Sequence, residues 1–124
     1  MRKKEILIQA KNIAVIGATQ NKNKYGYKIY KKLKEMNKKV YPVSPIYQEI
    51  DGEFVYSSIS EIKEKIDLAV FVVNTKLSKE YIKDCKEIPT LWFQPNTYDD
   101  ELLNTLQKNQ QNYVLDCVLI ASEE

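Results

Sequence analysis

The 124-residue sequence predicts an α/β fold: a Rossmann-like, doubly wound, mostly parallel five-stranded sheet flanked by helices, as a single domain over residues 1–124. Three observations predict it. Short apolar, β-branched runs recur as "IAVIG", "KVYPV", "DLAVFVV" and "TLWF". "IAVIG" is a run of the kind that a strand buried on both faces shows, and "DLAVFVV" is too short for a helix. Between them lie amphipathic segments of about 10–15 residues, and that alternation makes βαβ units with right-handed crossovers.

The elements follow in order. Residues 2–10 are expected to form a short leading helix. "IAVIG" (13–17) is the first strand and ends at a glycine. Over residues 25–37, Ile29, Tyr30, Leu33 and Met36 fall at helical spacing. "KVYPV" (39–43) reads as a second strand, stopped by Pro42 and Pro45. Asp51-Gly52 predicts a turn, followed by a short extended piece. "SISEIKEKI" should open a helix, with Ser58 and Glu61 in the relation of a capping box. "DLAVFVV" (67–73) is the most hydrophobic run and the expected central strand. Leu77, Tyr81, Ile82 and Cys85 mark one face of a third helix, and "TLWF" (90–93) is a further strand. Thr97 with Asp100 is expected to cap a helix carrying Leu102, Leu103 and Leu106. "YVLDCVLI" closes the chain as a final strand or strand-like tail.

Composition narrows the function. Apolar content of 44% and charged content of 29% are ordinary for a globular chain, and a net charge of +2 does not point to nucleic acid or a membrane. The lysines at 22, 24, 28, 31, 32, 34, 38 and 39 read first as the solvated face of a helix. No apolar run approaches the ~20 residues that span a bilayer. "MRKKEILIQAKNIAVIGA" mimics a secretion signal, but Gln9, Lys11 and Asn12 break its apolar part. With two cysteines lacking CxxC spacing and no histidine, a reduced, cytoplasmic protein without a metal site is expected. No Ser-His-Asp or Cys-His set exists, so the chain alone is not expected to be an enzyme. Asp99, Asp100 and Glu101 read as cap and dipole residues, Trp92 and Cys85 as core, and Cys117 as a small buried residue or a reactive thiol.

In a doubly wound sheet, ligands bind beyond the carboxyl ends of the strands. The first strand ends in Gly17-Ala18-Thr19, and the next helix begins near Tyr25-Gly26. A glycine lets backbone approach a ligand closely, and a helix start offers N–H groups to an anion. Lys22 and Lys24 add positive charge, so the stretch reads as a phosphate site. The dinucleotide fingerprint GxGxxG is not there, because only Gly17 and Gly26 occur, nine residues apart. Nor does the second strand end in the Asp or Glu that would hold an NAD ribose. It ends in Pro42-Val43-Ser44-Pro45, which reads either as a wall for a flat base or as a plain strand stop.

Taken together, "IAVIGAT…KYGYKIYKKLKEMNKKVYPVSP…DLAVFVV…LWFQPN…LDCVLI" resembles the small bacterial and archaeal CoA-binding domain proteins. These are similar to the N-terminal CoA-binding domain of the succinyl-CoA synthetase alpha subunit. The resemblance runs from Asn12 to Ile120 and implies a site. Gly17, Ala18 and Thr19 match that family's glycine–x–Ser/Thr loop around the phosphates, and Tyr25-Gly26 its helix start. Pro42, Val43 and Pro45 match a Pro-Val-Asn-Pro turn beside the adenine, with Ser44 where Asn is usual. Val73 and Asn74 match the ligand border after the central strand. Trp92-Phe93-Gln94 match a Trp-x-Gln segment, with Asn96 where Gly is usual. Asp116 and Cys117 match an acidic, cysteine-bearing ending. The implied function is a non-catalytic module for coenzyme A or an acyl-CoA. The alternatives are a domain for NAD or ATP, a scaffold that has lost its ligand, or a subunit of an acyl-CoA synthetase. A protein partner or a homo-oligomer stays open.

Overall fold

The computed structural model describes residues 2–124. A leading helix, α1 (Lys3–Gln9), precedes β1 (Asn12–Ile16), α2 (Tyr25–Glu35) and β2 (Lys39–Val43). A small hairpin of β3 (Glu49–Ile50) and β4 (Glu53–Phe54) turns at Asp51-Gly52. Then come β5 (Leu68–Phe71), α3 (Thr75–Tyr81), β6 (Thr90–Phe93), α4 (Asp100–Lys108), β7 (Asn112–Leu115) and α5 (Val118–Ala121). Five strands form one sheet in the order β2-β1-β5-β6-β7, and every neighbouring pair is parallel. After β2 the chain crosses back to the other side of β1, so the direction of winding reverses between β1 and β5.

The strands read as unbroken apolar runs because both faces of the sheet are covered. Side chains alternate between the faces. Ile13, Val15, Leu68, Val70 and Trp92 join Ile29, Tyr30 and Leu33 of α2 and Val118 of α5 on one side. Ala14, Ile16, Ala69, Phe71, Leu91 and Phe93 join Leu102 and Leu106 of α4 on the other. Among the described residues no helix is long and apolar enough to cross a membrane.

The structure corrects four local expectations. β2 covers residues 39–43 as expected, but it runs through Pro42 to Val43 and is not stopped there. The Pro42 carbonyl faces outward and accepts from the Tyr56 N–H at 2.9 Å, so the missing proline N–H lies on the outer edge, where β1 does not need it. Ser58 and Glu61 do form the capping box, yet only one 3₁₀ turn, Ile59–Glu61, follows. The connection must return from the sheet edge to its middle, and extended chain covers about twice the distance per residue that a helix does. Ile59, Ile62 and Ile66 are all buried, so the segment packs against the sheet without a longer helix. The tail after Leu115 is not a strand: α5 folds under the sheet and seats Val118 in the core. Finally, α4 is capped by Asp99, whose Oδ1 accepts from the Leu102 N–H at 2.9 Å, while the Thr97 hydroxyl donates to the Gln94 carbonyl at 2.7 Å.

Asp99 also carries a pH prediction. Its Oδ2 lies 2.9 Å from Lys79 Nζ. The Lys79 hydrogen bond first, and the Leu102 N–H second, hold its carboxyl below the usual carboxylate range. A carboxyl depressed in the folded state stabilises the fold at pH above its unfolded value, and that contribution is lost as pH falls through the lower folded value. Stability is expected to drop below about pH 4. Asp99→Asn keeps a capping oxygen but cannot ionise. Urea midpoints compared at about pH 6 and about pH 3 should therefore differ less in this variant than in the wild type.

Candidate functional site

β1 ends at Ile16, and Gly17 adopts φ +104° while its N–H donates to the Val43 carbonyl at 2.8 Å. A Cβ at Gly17 would stand 2.7 Å from the Val72 carbonyl carbon and oxygen, so the loop leaves β1 pressed against the end of β5. At Gly26, in the first turn of α2, a Cβ would collide with the Gly17 carbonyl oxygen. The two glycines are thus one steric pair: the start of the helix rests on the loop itself. The pairing explains why glycines nine residues apart serve where the dinucleotide fingerprint would use closer ones.

The loop between them is braced from within. Thr19 Oγ1 accepts from the Asn21 N–H at 3.1 Å and lies 3.1 Å from the Tyr47 hydroxyl. Asn21 Oδ1 accepts from the Asn23 N–H at 3.0 Å, and the Asn21 carbonyl accepts from Lys24 N–H at 3.1 Å. No side chain caps α2. Among the described residues, the N–H groups of Ala18, Thr19, Tyr25 and Gly26 have no hydrogen-bond partner. Four unpartnered donors and the positive end of an 11-residue helix therefore share one spot on the surface.

That spot is the wall of a cleft of about 600 Å³ at the β1/β5 switch. Of the residues expected from the sequence, Gly17, Ala18, Thr19, Lys24, Tyr25, Gly26, Ser44, Pro45 and Val73 line it. Val73 and Tyr25 also border a second cavity of about 480 Å³, which Asn74 and Gln94 line. The structure does not bring Lys22, Pro42 or Val43 to either wall. Lys22 points along the surface, its Nζ 6.0 Å from the Tyr27 ring centre. Val43 is fully buried in the core, and Pro42 is buried within β2.

Ser44 shapes the cleft through its own turn. Its hydroxyl accepts from the Ile46 and Tyr47 N–H groups at 3.1 and 3.3 Å, which sets Ile46 outward at 79% exposure and brings Tyr47 towards Thr19. Asn74 is a helix cap, its Oδ1 accepting from the Leu77 N–H at 2.9 Å. Ile46, Tyr47 and Leu77 also line the cleft and were not singled out for it in the sequence. Helical spacing places Leu77 on one face of the third helix and says nothing of the cleft. The signal for Ile46 and Tyr47 was an apolar pair directly after Pro45, outside any strand.

The model of the CoA binding domain matches residues 11–123. The chain belongs to the CoA-binding domain family. Acetate–CoA ligase (ADP-forming) of Methanocaldococcus jannaschii is 41% identical over 75 residues, which are 60% of this chain and 11% of the ligase. The chain spans between 11% and 19% of the length of the first four acetate–CoA ligases it matches. An uncharacterized protein of Bacillus subtilis is 27% identical over 123 residues, covering 95% of this chain and 90% of that protein. Among solved structures, a hypothetical protein from Pyrococcus horikoshii superimposes with a TM-score of 0.90 at 32% identity, over 97% of this chain and 87% of the other. The CoA-binding domain in this chain thus has relatives of two kinds: parts of long ligases, and proteins of its own size.

Proposed function

We propose that this chain binds coenzyme A, free or acylated, and does not turn over a substrate by itself. The pyrophosphate sits on the 17–26 loop. The observation that carries the reading is the set of four unpartnered N–H groups gathered at the switch point by the Gly17–Gly26 contact. Family membership supplies the ligand class. NAD is disfavoured because β2 ends without an acidic residue, and the one polar side chain there, Ser44, spends its hydroxyl on the turn. The ligand's base lies against Pro45 and Ile46, and its flexible arm passes Tyr25. A role as the CoA site of a larger ligase assembly would use the same cleft, with the chemistry supplied by parts outside this chain.

Lys24 is the cation at the mouth of the cleft and is exposed. Lys24→Glu should weaken CoA binding at least tenfold, about 1.4 kcal/mol, by turning attraction to the phosphates into repulsion. An acid at a helix start favours the helix, so the loss cannot be ascribed to unfolding. Titration calorimetry on both proteins checks this, and equal affinities would remove the phosphates from the 17–26 loop.

A further inference from the structure

The second cavity shares Tyr25, Val72 and Val73 with the first cleft. Val72 and Val73 form its wall with the first cleft, the turn Gln94–Thr97 forms its floor, and Cys117 and Ile120 close it. Gln94 is 4% exposed, and its Oε1 accepts from the Val118 N–H at 2.7 Å. That bond fixes which end of the amide is nitrogen. Gln94 Nε2 has no hydrogen-bond partner among the described residues. It is also not sealed from solvent as the hydroxyl of Ser78 is, so its donors open on this cavity. An acceptor on an incoming molecule would pair with these donors in place of solvent.

The two cysteines differ. Cys85 is fully buried, its Sγ donates to the Tyr81 carbonyl, and burial pushes its thiol up to about 12. Cys117 instead lines the cavity that holds the free amide of Gln94.

We propose that the second cavity receives the thiol end of a CoA-type ligand, with Gln94 donating to a carbonyl of its amide-bearing arm, and that Cys117 captures the ligand by thiol–disulfide exchange when its thiol is held in a disulfide. The proposal rests on the CoA reading above. Cys117 gives its proton to solvent, and the thiolate attacks the ligand's disulfide. The ligand's S–S bond breaks, a new S–S bond joins Cys117 to the CoA half, and the other half leaves as a thiolate that takes up a proton. The disulfide itself is the oxidant, and no further electron acceptor is needed. The first cleft holds the phosphates while the exchange takes place, so the reaction is favoured by proximity over exchange with an unbound disulfide.

Reduced protein is incubated with the symmetric disulfide of CoA, or with glutathione disulfide, and followed by intact mass and peptide mapping. The expected result is one CoA per chain, mapped to Cys117 and reversed by dithiothreitol, forming at least tenfold faster than the glutathione adduct. Gln94→Glu keeps an oxygen for Val118 but has no amide donor, and should lose most of that advantage. Binding of reduced CoA is measured on the same protein by calorimetry. If CoA binds but no adduct forms, or if both disulfides react at the same rate, the capture proposal is overturned and the CoA reading stands. If reduced CoA does not bind, both fall.

Discussion

Gly26→Ala should destabilise the protein by about 3 kcal/mol, at the upper end of what overpacking costs. For a domain of this size that is a fall in thermal midpoint on the order of 10 °C. The added carbon meets the Gly17 carbonyl oxygen, which is backbone and cannot rotate away. Relief requires α2 to lift off the loop, and lifting it separates the four N–H donors that define the site. Gly17→Ala should be as damaging, since it combines φ +104° with contacts of 2.7 Å to the backbone of Val72. A bulkier change at Gly17 is therefore a poor test of binding alone, because the fold fails with it. Gly52→Ala is the control: φ there is +81° but nothing lies within 4 Å, so only the backbone cost of about 1 kcal/mol applies. Thermal unfolding of the three variants separates the two mechanisms. Equal losses at positions 26 and 52 would show that α2 does not rest on the loop.

Trp92→Ala should cost about 4 kcal/mol, within the range for deleting a buried aromatic side chain. Trp92 is fully buried on the face covered by α2 and α5, and its Nε1 donates to the Asp116 carbonyl at 2.8 Å. It ties β6 to the turn that launches α5. Trp92→Phe keeps most of the packing and leaves that carbonyl unmatched, for a loss of about 1–2 kcal/mol. Because the ring reaches neither cavity, CoA affinity of Trp92→Phe should match the wild type. A large loss of affinity with an intact fold would return the ring to the ligand.

The strands were legible because a parallel strand buried on both faces has no polar alternation to confuse it with anything else its length. "TLWF" matched to the residue, and "DLAVFVV" lay at the centre of the sheet as expected. The "SISEIKEKI" segment misled because the capping box that opens a helix also forms at the head of a single 3₁₀ turn, and its isoleucines are buried without one. The helix after Leu115 was hidden in an apolar run whose strand part stops halfway. At the site, Gly17 stood out as a glycine closing a buried strand, and Gly26 as a glycine opening a helix. Their mutual contact is a three-dimensional fact that no spacing encodes. Lys22 and Lys24 look alike in the chain. Only the turn set by Thr19 and Asn21 decides that Lys24 reaches the cleft and Lys22 lies over Tyr27.

The central claim is that the cleft between β1 and β5 takes CoA in preference to other nucleotides. Thermal unfolding with CoA, dephospho-CoA, NAD and ATP in parallel tests it most directly. At about a hundred times its dissociation constant, CoA should stabilise by about 2.7 kcal/mol. The midpoint should rise on the order of 10 °C. Dephospho-CoA should give less, and NAD and ATP almost nothing. A rise with NAD or ATP that equals the rise with CoA, or no rise with CoA at all, would contradict the account.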